Sequence, residues 1–243
     1  MTPVWPGARG GTSASALQYF FWARPEWWTV LLSGVAWIVM LFHASRYAAH
    51  GIHHHIRFSG ELANWIWMVA AVMLPLNVST VALTAERSLW FRRHRAIAGF
   101  LTGYFAPWLL MGLAVGLIRQ AEWSHTAAAA SLGFAASAVW QQTAVHRRAL
   151  AGCHRTYPLA PTDWQADRDC LRFGWTIGTA CLTTCWVAML ACAFSGHSLI
   201  AMSSGLVAGF VERRSYRSRT RQMVMVWLLL ATYYGVLAVR PLP

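Results

Sequence analysis

Long apolar blocks constrain the fold of this chain more than any other feature of its sequence. A helix needs about 20 apolar residues to cross the hydrocarbon core of a bilayer. The chain is 57% apolar and only 12% charged over 243 residues, whereas a soluble domain carries about 25% charged residues. These blocks exclude an ordinary soluble enzyme and predict an all-α, polytopic transmembrane helical bundle. The seven predicted spans are 27–43, 62–85, 96–118, 126–146, 173–196, 197–211 and 221–239.

The arginines are distributed unequally between the segments that join these spans. All 20 basic residues are Arg, and in an alternating seven-span topology 16 of them fall on one side and 4 on the other. Cytoplasmic loops carry the excess of positive charge, so we expect the N-terminus to lie in the cytoplasm of a bacterium. Residues 1–26 would form a cytoplasmic or interfacial segment, and residues 27–239 a bundle in the inner membrane. The lipid bilayer is the expected partner, and nucleic acid is not.

A line of sulfur-containing residues runs along the fifth predicted span. Cys181, Cys185, Met189 and Cys192 follow one another at spacings of four, four and three, which places them on one face of a helix. Thiolate and thioether groups are soft ligands that favour Cu(I). The competing interpretation is that these residues are ordinary apolar filler of a membrane helix.

Two methionines of the second predicted span lie at matching depths. With a rise of about 1.5 Å per residue, Met68 falls near the level of Met189, and Met73 near the level of Cys185. If the second and fifth spans are neighbours, their sulfur atoms can bind one soft metal ion. We therefore predict a copper site formed by Met68, Met73, Cys185 and Met189, with Cys181 as a further ligand.

A dense group of histidines precedes the second span, on the predicted outer face. His50, His53, His54 and His55 lie within six residues of one another. Imidazole is a common ligand for copper, zinc and nickel. The competing interpretation is a solvated loop that holds no metal. We predict that these histidines capture metal from outside and pass it to the sulfur ligands.

Small residues recur four positions apart, a spacing that lets helix backbones approach closely in lipid. The pairs are Gly99/Gly103, Gly112/Gly116, Gly174/Gly178 and Gly205/Gly209. We expect about half of them to form helix contacts. Inside the second span, Pro75 removes a backbone hydrogen bond and frees a carbonyl for another partner.

Charged residues at the inner ends of the spans leave two interpretations open. Glu212 and Arg213 follow the sixth span, where they could form an ion-paired helix cap or take part in release of a proton or metal. No motif of a hydrolase, a metalloprotease or a phosphate-binding loop is present, so an enzyme is not expected. The other classes that stay open are an assembly or scaffold subunit, a thiol-redox protein using Cys181 and Cys185, and a bis-His haem protein.

Several segments resemble landmarks of the bacterial predicted metal-binding integral membrane proteins (domain of unknown function 2182). They are WIWMVAAVMLP over 65–75, Cys181 to Met189, Cys153-His154-Arg155 with Pro158, and Glu212-Arg213. The resemblance covers roughly residues 60–215 and implies a membrane protein that binds metal, with copper as the expected metal and no established reaction. It implies Met68, Met73, Cys181, Cys185 and Met189 as candidate ligands.

The chain departs from the pattern of this family at three positions. Val72 stands where the family has a second Met, and Thr183 and Thr184 stand where it has Gly and Cys. The outer loop is rich in His rather than Met. Taken together, the sequence predicts binding of a soft metal, Cu(I), for handling or for delivery to a membrane protein or a metallochaperone.

Overall fold

The computed structural model of this chain describes residues 24–50, 58–119, 127–160, 162–214 and 220–239. These residues form α-helices joined by turns, with no strand among them. A short 3-10 turn lies at Trp90–Arg92. The helices are α1 (Trp27–His50), α2 (Phe58–Glu86), α3 (Arg93–Arg119), α4 (Ala127–Trp140), α5 (Ala144–Gly152), α6 (Asp163–Phe194), α7 (Leu199–Arg214) and α8 (Thr220–Val239).

Five segments of this structure are long and apolar enough to cross a membrane. They are Trp27–Ser45, Ser59–Glu86, Trp90–Leu117, Asp163–Phe194 and Arg221–Val239. They correspond to the first, second, third, fifth and seventh predicted spans. At 14 and 16 residues, α4 and α7 are shorter than the length of about 20 that a crossing requires. The all-helical class is confirmed, while the count of seven spans and the side of the N-terminus stay predictions.

The fourth predicted span, 126–146, is wrong as a single helix, because the structure breaks it after Trp140. Residues 141–143 form a turn, and the Thr143 side chain accepts a hydrogen bond from the backbone N–H of His146 at 3.1 Å. A threonine in this position caps the start of a new helix. The chain therefore begins α5 with its own N-cap instead of extending α4.

The fifth predicted span begins earlier than expected, at Asp163 rather than at residue 173. The Asp167 carboxylate accepts from Arg92 and Arg95, both at 2.6 Å. These ion pairs tie the first turns of α6 to the start of α3. Asp163, Asp167 and Asp169, which precede the predicted span, therefore belong to α6.

Glycines allow α3 and α6 to pack backbone against backbone. A Cβ added to Gly103 would overlap the Leu171 carbonyl oxygen, and one added to Gly174 would overlap that of Phe100. At Gly178 an added Cβ would lie 2.5 Å from the Tyr104 carbonyl oxygen. The expected helix contacts of the pairs 99/103 and 174/178 are therefore confirmed. The close approach seats Tyr104 directly against α6.

The carbonyl that Pro75 leaves without its helical partner links α2 to α1. The Ala71 carbonyl oxygen accepts from Ser33 Oγ at 3.2 Å and from Trp37 Nε1 at 2.9 Å. In an apolar surrounding, a backbone group without a hydrogen bond is costly. Helix α1 therefore docks where the proline exposes a polar atom. The segments of α2, α3 and α6 are the most buried of the five long ones, so the centre of the bundle lies among them.

Candidate metal centre

A thioether from α2 meets a thiol from α6 in the interior of the bundle. The Met73 Sδ and Cys181 Sγ atoms lie 3.7 Å apart, and both side chains are buried. Contact between α2 and α6 is confined to a short stretch, because α3 packs against both of them. The sequence placed Met73 at the level of Cys185. The observed contact is with Cys181, one helical turn away.

Two hydrogen-bond donors converge on the Cys181 sulfur. The Tyr104 hydroxyl donates to Sγ at 3.1 Å, and Arg213 Nη2 donates to it at 3.5 Å. Thiolate is the form that binds a metal ion, and these two donors would stabilise the negative charge on the sulfur once its proton has left. The protein thus prepares one particular sulfur atom for chemistry in an otherwise apolar core.

Two further cysteines lie near this sulfur. The thiols of Cys153 and Cys185 interact with Cys181, but the three do not converge closely enough to hold one metal ion together. Cys153 Sγ also lies 3.9 Å from Thr184 Oγ1. Thr184 is one of the positions at which the chain departs from the resembled family. Cys153 was not among the predicted ligands. Across the described ranges, no three His, Cys, Asp or Glu side chains converge into a metal-binding group, so a site here depends on thioether as well as thiolate sulfur.

A small, partly open cavity of about 30 Å³ lies on the Met73 side of the Met73–Cys181 pair. Cys185, Met189 and Cys192 line it together with Met73. The stripe of sulfur predicted for α6 therefore faces the interior of the bundle rather than its surface. This cavity places several soft ligands within one continuous space.

The other end of the cavity is polar. Gln141 Nε2 donates to Glu212 Oε1 at 2.5 Å, and His146 Nε2 lies 3.8 Å from Glu212 Oε2. Burial, followed by the charge of Arg147, lowers the pKa of His146 to about 4, and burial raises the pKa of Glu212 to about 7. The imidazole is therefore neutral at pH 7, and its contact with Glu212 is not an ion pair.

The ion-paired cap considered for Glu212 and Arg213 is not formed. Glu212 turns toward Gln141, whereas Arg213 reaches the Cys181 sulfur. Adjacent residues of a helix point about 100° apart. The side chains of Glu212 and Arg213 therefore contact different parts of the structure. The sequence indicated charged residues at this helix end but not the direction in which each side chain points.

The remaining predicted ligands are one methionine and four histidines. Met68 is fully buried, but it is not among the residues that line the cavity. His50 is the last residue of α1, in a stretch whose side chains are not described. His53, His54 and His55 lie outside the described residues. Their role in metal capture stays a prediction.

Sequence reasoning missed Tyr104 and gave Arg213 a different partner. Tyr104 carries no soft ligand atom, so a search for soft ligands passes over it. Its neighbour Gly103 and the facing pair Gly174/Gly178 were a usable signal, because close backbone approach brings the residues beside it against α6. The contact of Arg213 with Cys181 was not predicted, because the position of Arg213 beside Glu212 suggested a local ion pair.

The fold and the site together define a class of protein. It is a helical bundle with helices long and apolar enough to cross a membrane, and it holds a thiol–thioether pair in its interior. A family model described as PpoB2, copper chaperone, matches residues 62–237. The chain belongs to this copper chaperone family. No curated protein and no solved structure matches the chain.

The family match bears on the earlier resemblance in one respect. It supports a copper-related protein, as the resemblance to the predicted metal-binding membrane proteins implied. That narrower family, the insertion in a membrane and the binding of metal stay predictions.

Proposed function

We propose that this chain is an integral protein of the bacterial inner membrane that binds Cu(I) between Met73 and Cys181 and delivers it to a partner. The partner would be a membrane protein or a metallochaperone. Family membership supports copper handling, and five apolar segments support a membrane location. The observation that carries the proposal is the distance of 3.7 Å between the two sulfur atoms.

The sulfur–sulfur distance suits a shared metal ion. A metal–thiolate bond is about 2.3 Å long for zinc, and two sulfur atoms bound tetrahedrally at this length lie about 3.8 Å apart. The observed 3.7 Å needs little movement of either side chain. Thiolate and thioether together favour Cu(I) over harder ions. Tyr104 and Arg213 would hold Cys181 in the form that binds it.

The lined cavity supports movement of the ion after capture. Cys185, Met189 and Cys192 are further soft ligands along the same space as Met73. Exchange of one sulfur ligand for the next would let Cu(I) travel along α6 without entering the apolar core alone. The histidines at 50 and 53–55 and the buried Met68 would take part in delivery to this route from outside.

Copper binding by the purified protein tests the proposal. The protein in detergent is titrated with Cu(I) under anaerobic, reducing conditions against a chromogenic Cu(I) chelator. Wild type should take up Cu(I) near stoichiometry, and C181A should lose tight binding. M73L, which keeps volume and apolarity, should weaken binding by at least about tenfold. The control is C170A, because Cys170 is buried and lies outside the cluster. Equal binding by C181A and C170A would contradict the proposal.

Thiol redox is the second candidate function. The approach of Cys153 to Cys181 favours it, whereas the pair first considered, Cys181 and Cys185, lies four apart on one helix, where disulfide geometry is difficult. A C153A variant separates the two functions. Under the copper proposal it retains Cu(I) binding, and under the redox alternative it loses an oxidant-dependent shift in electrophoretic mobility.

The scaffold alternative has less support from the structure. The sequence evidence for a scaffold was the presence of helix faces lined by small residues, which could pack against helices of a partner protein. Two of these pairs, Gly99/Gly103 and Gly174/Gly178, pack against α6 and α3 within the chain itself. Stable co-purification of a partner with metal-free protein would favour the scaffold.

A further inference from the structure

The Arg213 guanidinium sits beside the candidate metal site with no acidic partner among the described residues. Its described contacts are the Leu76 carbonyl oxygen, Asn77 Oδ1 at 3.1 Å and Cys181 Sγ at 3.5 Å. The first two are neutral acceptors that hold the side chain in place. The nearest carboxylate in sequence, Glu212, is engaged by Gln141.

Arg213 is thus a fixed positive charge next to the sulfur that would bind metal. An arginine stays protonated in proteins, and the interaction between charges is strong where water is scarce. Any cation that enters the site experiences this charge. A divalent ion experiences about twice the repulsion of a monovalent ion at the same position.

Because few thiolates face the site, the net charge of the site with Cu(I) bound differs clearly from its net charge with Zn(II) bound. Three acidic or thiol groups do not converge here within the described ranges, so one thiolate, or two, would face the ion. With two thiolates, Cu(I) and Arg213 give a neutral site, whereas Zn(II) leaves one positive charge. With one thiolate, the site holding Cu(I) carries one positive charge and the site holding Zn(II) carries two. Uncompensated charge in a buried site is costly.

We infer that Arg213 is the residue that selects monovalent soft cations over divalent ones at the Met73–Cys181 site. This inference rests on the proposed copper site and assigns its charge selectivity to one side chain. Zinc is the relevant competitor, because it also binds thiolate. Thioether and thiolate ligands alone make Cu(I) the better ligand match, and Arg213 adds rejection of the second positive charge.

The test is a selectivity ratio measured on the full-length protein in detergent. Affinities for Cu(I), for Ag(I) as a redox-inactive monovalent ion, and for Zn(II) are measured by competition with metal indicators. R213Q should raise the affinity for Zn(II) relative to that for Ag(I) at least about tenfold over wild type, because a loss of thiolate at Cys181 lowers both affinities alike while the loss of the guanidinium charge favours the divalent ion. R213K, which keeps the charge, should retain the selectivity of wild type. R214Q removes an adjacent, exposed arginine and should change nothing.

A second variant keeps the test independent of the folding of R213Q. In N77D, a carboxylate replaces the amide whose oxygen lies 3.1 Å from Arg213 Nη1, and it would neutralise the guanidinium in place. N77D should raise the affinity for Zn(II) relative to that for Ag(I), as R213Q does. If wild type binds no Cu(I) or Ag(I), the copper site itself is wrong. If wild type binds both and the ratio to Zn(II) is unchanged in R213Q and N77D, the site stands and the role of Arg213 is overturned.

Discussion

Met73 Sδ and Cys181 Sγ lie 3.7 Å apart although 108 residues separate them in the chain. Their helices, α2 and α6, touch over only a short stretch. Helix α3 packs against both, and its glycine contacts with α6 fix how close α6 can come. The sulfur pair therefore depends on packing that contains no sulfur.

The glycine contact between α3 and α6 gives a prediction about stability. In G174A the new Cβ overlaps the Phe100 carbonyl oxygen, so the two backbones must separate. We expect a loss of about 1–3 kcal/mol of stability, as in other overpacked cores, and a lower midpoint of thermal unfolding by circular dichroism. The control is G34A on α1, where a Cβ meets no atom within 4 Å. Equal unfolding midpoints for the two variants would show that the contact does not hold the bundle together.

The hydroxyl of Tyr104 gives a prediction about affinity. Y104F removes the donor that lies 3.1 Å from Cys181 Sγ but keeps the ring, which stacks on Phe100 with centroids 6.1 Å apart. A hydrogen bond to a charged group contributes about 1.5–3 kcal/mol, and Cu(I) affinity depends on the thiolate form. We expect apparent Cu(I) affinity at pH 7 to fall by about tenfold, measured by chelator competition.

The control for Y104F is the same change at Tyr233, whose side chain is exposed. Y233F should bind Cu(I) as wild type does. An undiminished affinity in Y104F, with the fold intact, would remove the hydroxyl from the account of the site.

The His146–Glu212 contact predicts two opposite dependences of stability on pH. Burial lowers the pKa of His146 from 6.5 to about 4, so unfolded protein binds the extra proton and stability falls as pH drops from about 6.5 to 4. Burial raises the pKa of Glu212 from 4.5 to about 7, so folded protein binds the extra proton and stability falls as pH rises from about 4.5 to 7. Each slope is at most about 1.4 kcal/mol per pH unit.

The two slopes offset one another in wild type, and single variants separate them. Unfolding midpoints recorded between pH 4 and 7 should change little for wild type. E212Q should become more stable as pH rises through the range from 4 to 6.5, and H146Q should become less stable as pH rises through the range from 4.5 to 7. Parallel profiles for all three proteins would be inconsistent with these burial effects.

The sequence predicted those features of the fold and the site that depend on residue patterns within a single helix. Block length and the low charge predicted the helical class, and the spacing of Gly174 and Gly178 predicted a close helix contact. The i, i+4 spacing of Cys181 and Cys185 predicted one shared helix face for the sulfur stripe of α6, and Cys185, Met189 and Cys192 do line one cavity. Each of these signals is local, because it follows from helix geometry alone.

The sequence did not predict how residues on different helices are placed relative to one another. Depth matching paired Met73 with Cys185, and both line one cavity. It did not predict the contact of Met73 with Cys181, because depth estimates inherit the uncertainty of span ends. The break after Trp140 was missed because the Ala-rich segment around it reads as continuous helix. The direction of Arg213 depends on a long flexible side chain whose target, Cys181, comes from another helix.

X-ray absorption at the copper edge tests the central claim most directly. The protein loaded with one equivalent of Cu(I) should show a first shell of sulfur near the metal–thiolate distance of about 2.3 Å. M73L should lose one sulfur from that shell, while C170A should match wild type. A first shell of nitrogen or oxygen, or a sulfur shell unchanged in both M73L and C181A, would contradict copper binding between Met73 and Cys181.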